Sequence, residues 1–226
     1  MNIAEKLTTI AENTQAVHEA GKQAEYDAIW DCIQDNGNRT QYNSAFLGWN
    51  WEYADPKYKI DLTGITNSNP IFGGSTTLKR INPEKFDFSN ALKVNYLFSG
   101  CSALEEIPLI VGGEQFLQCF KNCTKLKRIR GLKYINLAQN NHTQMFQGCE
   151  NLEIIDEISG EFGGQGFNVQ WCPLNHATLL RILNSLADKS TDTSGTTWSI
   201  TLGADNIAKL TEDELDIGRN KGWVIA

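Results

Sequence analysis

Apolar positions in the middle of the chain fall into one ten-residue order, Phe-x-x-Cys/Ser-x-x-Leu-x-x-Ile, written four times with mostly polar residues in the gaps. Phe72, Ser75, Leu78 and Ile81 make the first copy, and Phe98, Cys101, Leu104 and Ile107 the second. Phe120, Cys123, Leu126 and Ile129 make the third, and Phe146, Cys149, Leu152 and Ile155 the fourth. Successive phenylalanines are 26, 22 and 26 residues apart. Self-similarity at such a period marks a solenoid, in which each unit buries its apolar side against its neighbours and cannot fold alone.

Within each unit the pattern predicts a short helical turn before the Phe (Ala91 to Leu97, Gln115 to Cys119) and a strand after the Ile. The strand-like runs are Phe86-Asp87-Phe88, Leu109-Ile110-Val111 and Tyr134-Ile135-Asn136-Leu137. Strands joined by a long connection stack in parallel. The residues between Leu and Ile alternate in sign: Lys79-Arg80, Glu105-Glu106, Lys127-Arg128, then Glu153-Ile154. If the copies stack in register, opposite charges face one another from unit to unit and help to fix the order of stacking.

The flanks differ from the middle. Ile3, Leu7, Ile10, Thr14, Val17, Gly21 and Ala24 follow a four-three spacing, the seam of a helix. Thr14 and Gly21 weaken that seam, which favours a helical cap over residues 1–37 rather than an oligomerisation stalk. Residues 38–71 are rich in aromatics (Tyr42, Phe46, Trp49, Trp51, Tyr53, Tyr58). Phe46 stands 26 residues before Phe72, with Glu52 and Asp55 in the Leu and Ile slots, so this segment reads as a degenerate first unit. Residues 72–172 hold the repeats. From 173 to 226 the pattern predicts an α/β cap. It comprises a helix over 176–187 capped by Asn175, with Leu179, Leu180, Ile182, Leu183 and Leu186 inward. A strand follows at 198–202, then a helix opened by Thr211 and Glu214 at capping-box spacing, and a last strand at Trp223 to Ile225.

Composition narrows the function classes. A formal charge of −7 argues against nucleic acid, which needs a basic surface. No apolar run is long enough to insert into a membrane, and the N-terminal residues lack the apolar core of a secretory signal. Three of the six cysteines, Cys101, Cys123 and Cys149, occupy one recurring slot that Ser75 fills in the first copy. That is the behaviour of a small buried residue, so free thiols are expected and neither disulfides nor a metal site. His18, His142 and His176 are scattered. His142 sits in a polar Gln-Asn-Asn-His-Thr stretch where a surface position is expected, and none of the three implies a triad. Gly163-Gly164-Gln165-Gly166 lacks the context of a phosphate loop and reads as a turn. No catalytic residue, cofactor site or metal site is expected.

The repeated Phe-x-x-Cys-x-x-Leu-x-x-Ile core resembles the BspA-like class of leucine-rich repeats, over residues 72–155 and over 46–172 with degenerate ends. The stretch Ile3 to Asn13, and the tail from Gly195 through Trp198, Leu210 and Thr211 to Trp223, resemble proteins encoded in phages and prophages of gut Firmicutes. The resemblance implies an α/β fold: a short right-handed solenoid with a parallel sheet, an N-terminal helical cap and a C-terminal α/β cap. It also implies recognition of a protein or a surface glycan, at a virion or a cell surface. A tail-associated or host-recognition protein is the first reading, a bacterial adhesion module the second, and an enzyme on a repeat scaffold a distant third. Trp49, Trp51 and Tyr53 are the candidate partner-binding residues. The competing expectation is that they plug the open end of the stack.

Overall fold

A computed structural model of the chain describes residues 21, 24, 52–54, 60–61, 72–87, 94–111, 116–133, 142–160, 164 and 166–226. Gly21 and Ala24, both seam positions, are helical and exposed. The rest of the N-terminal segment, with His18, Trp49 and Trp51, lies outside the described residues, as does the expected strand at Tyr134 to Leu137.

Every template copy closes the same two turns. The N–H of the Cys or Ser slot donates to the Phe carbonyl three residues back, as from Cys123 to Phe120 at 3.1 Å. The Leu N–H then donates to the Cys carbonyl, as from Leu126 to Cys123 at 3.1 Å. One residue of each copy takes a left-handed conformation inside these turns, and from the second copy on a further one does so just before the Phe. Gly74, Gly100, Asn122 and Gly148 stand two places after the Phe, and Tyr96, Gln118 and Gln144 stand two places before it. Glycine and asparagine suit such a φ; tyrosine and glutamine do not. Over the described part of the expected helical turns, residues 94–97 and 116–119, the left-handed residue before the Phe interrupts any right-handed helix, and the backbone there is a chain of turns.

Copies are joined by bonds repeated at each step. The backbone N–H of the residue after the Leu donates to its counterpart one unit earlier. The series runs from Lys79 to Glu52 (2.8 Å), Glu105 to Lys79 (3.0 Å), Lys127 to Glu105 (2.9 Å), Glu153 to Lys127 (3.1 Å) and Asn175 to Glu153 (2.9 Å). Short strands β1 (Tyr53–Ala54), β3 (Arg80–Ile81), β5 (Glu106–Val111), β6 (Arg128–Lys133) and β7 (Ile154–Ile155) begin at the next residue, and β2 (Ile60–Asp61), β4 (Phe86–Asp87) and β8 (Ile158–Ser159) follow β1, β3 and β7 a few residues later. All their pairings are parallel: β1 with β3, β2 with β4, and β6 with β5, β7 and β8. The first set takes in the Ile place and the residue before it, so strand structure starts earlier than the runs after the Ile suggest, because the ladder bond at the preceding residue has already aligned the backbones. Of those runs, Phe86-Asp87 forms β4 and Leu109-Ile110-Val111 lies within β5.

The register corrects the first unit. Ala54, and not Asp55, lies opposite Ile81, and Glu52 takes the place that Lys79 holds in the next copy. The step here is 27 residues, one more than the 26 counted from Phe46, so the Leu and Ile slots fall one place earlier than the sequence reading set them.

The buried face explains the template. Leu78, Leu104, Leu126 and Leu152 are fully buried, as are Ile107, Ile129 and Ile155, with Ile81 nearly so. Phe72, Phe98, Phe120 and Phe146 form one column, with ring centroids 5.2, 6.0 and 5.7 Å apart and planes within 10° of parallel. Among the described residues, Phe86 meets Phe72 edge-on and Phe167 meets Phe146 edge-on.

The cysteine slot has its own chemical reason. Cys101 Sγ donates to the Phe72 carbonyl (3.0 Å), Cys123 to Phe98 (3.1 Å) and Cys149 to Phe120 (3.0 Å). A small apolar side chain with one weak donor fills the space and satisfies a carbonyl of the neighbouring copy. Cys101, Cys119, Cys123, Cys149 and Cys172 are all free and buried. Burial pushes the Cys101 and Cys149 thiols up to about 12 and raises those of Cys119, Cys123 and Cys172 as well, so none is a nucleophile at neutral pH. Titration with a water-soluble disulfide reagent should accordingly leave these five thiols unreacted in the native protein. In denaturant without reductant it should count six groups; a count of two or fewer would show a disulfide framework instead.

The stack is closed at its C-terminal end by a shortened fifth turn. Val169, Cys172 and Leu174 are buried in the Phe, Cys and Leu places, but one residue rather than two separates the Cys from the Leu. Where a strand would start, Asn175 instead caps helix α1 (His176–Ser185), its side chain accepting from the Thr178 N–H at 2.8 Å. This helix covers the edge of β7 and β8 and satisfies it. Thr178 Oγ1 accepts from Ile155 N–H, Arg181 donates to the Ile155 carbonyl, and Ser185 to the Ile158 carbonyl. Thr178 is therefore buried, while Leu180, expected on the inner side, is only half-buried.

Strand β9 (Trp198–Ile200), short helix α2 (Ala204–Ile207), helix α3 (Glu212–Arg219) and strand β10 (Trp223–Ile225) complete the cap, with β10 parallel to β9. The capping box of α3 forms in both directions, Glu214 N–H to Thr211 Oγ1 and Thr211 N–H to the Glu214 carboxylate. Buried Asn206 ties the cap to the fifth turn, its amide donating to the carbonyls of Val169, Cys172 and Leu202.

Candidate recognition surface

Side chains alternate across a strand, so the residue before each template Ile and the one after it point away from the core. From unit to unit the first row is Tyr53, Arg80, Glu106, Arg128 and Ile154, and the second holds Asn82, Pro108, Arg130 and Asp156. The expected face-to-face charge register is seen at one strand step, where Glu106 lies opposite Arg128, while at the next step Arg128 lies opposite Ile154. The ion pairs, however, run diagonally. Glu106 accepts from Arg130 Nε at 2.5 Å, and Arg128 grips Asp156 with two bonds of 2.6 and 2.9 Å. Asp156 hydrogen bonding raises the Arg128 pKa above its usual range. At the N-terminal edge Lys79 pairs with Glu52 at 2.9 Å.

A depression of ≈ 270 Å³ opens on this face, lined by Tyr53, Arg80, Pro83, Glu106, Pro108 and Arg130, with Ile81 below. Its floor includes buried Pro108, and on one side the Arg80 guanidinium stands 5.4 Å from the centre of the Tyr53 ring. Of the three aromatics named from the sequence, Tyr53 is thus placed at a cleft, half-buried, while Trp49 and Trp51 lie outside the described residues. Arg80 and Glu106 entered the sequence reading only as members of the charge ladder, and Pro83, Pro108 and Arg130 were not picked out. They stand between template positions, and only the row they share reveals them.

The histidines take two different roles. His142 is fully buried, which corrects the expected surface position. It occupies a recurring slot four residues before the Phe, where earlier copies carry Val94 and Phe116. Its ring stacks on Phe116 at 6.1 Å and meets Phe167 edge-on at 5.7 Å. Loss of hydration lowers its pKa to about 4, so at neutral pH it is an uncharged core ring. The signal was present in the sequence as the Val94, Phe116, His142 series. His176 is exposed at the start of α1 and bonds Glu214 of α3 at 2.9 Å. That carboxylate already accepts from Thr211 N–H, and this bond holds it below the usual carboxylate range.

Among the described residues no cluster of three His, Cys, Asp or Glu is placed to hold a metal ion, and no helix is long and apolar enough to cross a membrane. Gly166, from the glycine-rich stretch, takes a left-handed φ of 82° against Thr143. No protein-family model, no curated protein sequence and no solved structure matches the chain.

Proposed function

We propose that the stacked copies form a short right-handed leucine-rich-repeat solenoid and that the chain is a non-enzymatic recognition protein. On this reading it belongs to the type carried by phages and prophages of gut Firmicutes and binds a protein on the surface of its target cell. The observation that carries the proposal is the depression lined by Tyr53, Arg80, Pro83, Glu106, Pro108 and Arg130 on the outward face of the ladder. Its charged walls are held by the Glu106–Arg130 pair and its apolar parts are two prolines and a tyrosine ring. Such a surface loses little conformational freedom when a partner docks, and aromatic and arginine side chains supply most of the energy at interfaces.

The test is adhesion of the labelled chain to a panel of intact gut Firmicutes cells. We expect saturable binding to a subset of strains, abolished when the cells are treated with protease. Tyr53→Ala should weaken it by at least about tenfold, while Asp213→Ala, on the exposed start of α3, should leave it unchanged. Binding that survives protease and disappears with periodate would assign a glycan instead. Absence of binding to every strain, or equal binding by both variants, would refute the reading.

A further inference from the structure

The diagonal ion pairs follow a rule, and one step breaks it. The outward residue before the Ile in one unit pairs with the outward residue after the Ile in the next: Glu106 with Arg130, then Arg128 with Asp156. One unit earlier the same relation joins Arg80 to position 108. There the carboxylate that Asp156 provides for Arg128 is replaced by Pro108, which has no acceptor on its side chain. Among the described residues no carboxylate lies within ion-pair distance of Arg80; its one polar partner of this kind is the face of Tyr53. The gap this leaves is the depression itself, which Arg80 and Pro108 both line.

We propose that the depression is a seat for a carboxylate presented by a protein partner, either an Asp or Glu side chain or a C-terminal carboxylate, held between Arg80 and Arg130 above Pro108. The assignment rests on the recognition reading above and names the chemistry of that site. Charge selects the ligand. Arg80, Arg130 and Glu106 together give the lining one net positive charge, which matches a carboxylate and disfavours a phosphate dianion beside Glu106. Geometry agrees, because a planar guanidinium fork suits a carboxylate, as Arg128 shows with Asp156. The apolar rings of Pro83 and Pro108 and the Tyr53 ring then receive the apolar atoms flanking the carboxylate.

The experiment follows the arginine Nε–Hε NMR signals of the full-length chain, at constant ionic strength adjusted with chloride. Sodium acetate should shift the Arg80 and Arg130 signals saturably, and phosphate should do so at least about tenfold more weakly. Two probes then separate the sources. Acetyl-Pro-Glu-Pro-amide offers a side-chain carboxylate, and acetyl-Pro-Ala-Pro with a free end offers a terminal one; the tighter of the two names the source. Arg80→Gln should abolish the response. So should Pro108→Asp, which restores the built-in partner of the next unit while leaving Arg80 in place.

A linear, unsaturated response to acetate, a stronger response to phosphate, or an undiminished response in Pro108→Asp would overturn the seat. So would binding of a sialylated glycan with none of either peptide. Failure here is distinct from failure of the recognition reading. Cell adhesion that falls in Tyr53→Ala but persists in Arg80→Gln keeps the surface and removes the carboxylate.

Discussion

Replacing Phe120 with alanine is expected to lower the stability of the protein by about 3–5 kcal/mol, the usual cost of truncating a fully buried aromatic. The ring has no exposed area and lies between two others, with Phe98 at 6.0 Å and Phe146 at 5.7 Å, both nearly coplanar with it. Its removal cuts the column in the middle. The rings that remain are separated by a whole unit and cannot close over the gap, because the hydrogen-bond ladder fixes the spacing of the backbones. In a stack where units contact only their neighbours, coupling between the two halves passes through this step. Chemical denaturation monitored by far-UV circular dichroism should show the midpoint falling and the single transition broadening or splitting in two. A midpoint unchanged within error would mean that the phenylalanine column is not what joins the units.

The second large effect concerns pH. His142 is neutral and buried in the native protein, with its pKa lowered to about 4 by desolvation against an unfolded value near 6.5. Between those values the unfolded chain binds a proton at this position and the folded chain does not, so acid favours unfolding. The contribution is fully present above about pH 6.5 and is lost as the pH falls toward 4, at roughly 1.4 kcal/mol per pH unit and about 3 kcal/mol in total. His142→Phe places in the slot the residue that Phe116 already supplies one unit earlier, and it has nothing to protonate. The variant should keep its stability down to pH 4.5 where the parent loses most of this amount. Parallel stability-against-pH curves for the two proteins would show that His142 is not the titrating group.

The sequence announced some of this structure clearly and concealed other parts, for physical reasons that can be named. The four-position template was legible because its Phe, Leu and Ile places are buried for packing, and apolar side chains advertise that, while the weak donor function of the Cys place carried no mark of its own. The cap of α1 at Asn175 and the box at Thr211 and Glu214 were legible because capping uses a few side chains at fixed spacing. Left-handed backbone was half legible. Glycine or asparagine two places after every Phe marks one such position, but the tyrosine and glutamines two places before it carry no mark, so a helical turn was expected there. His142 was hidden by its polar neighbours, although the slot it fills is apolar in the two earlier units. The depression was hidden more thoroughly. Pro108 and Arg130 belong to no repeated position as residue types, Arg80 stood out only as one member of a charge ladder, and what unites the three is the parallel register, which exists only once the strands are paired.

The shortened fifth turn bears on how such a chain changes length over evolutionary time. Nine residues lead from Phe to Ile in every full copy, while the stretch from Ile to the next Phe is 17, 13 and 17 residues, so drift in length has been confined to one segment of the unit. Duplication of a whole copy would therefore extend the array without disturbing any rung. Between Cys172 and Leu174 a single residue is missing from the otherwise invariant part, and there the chain stops adding strands and starts a helix. The only departure from the fixed segment therefore coincides with the end of the series among the described units, and any further unit would have to be added on the near side of it.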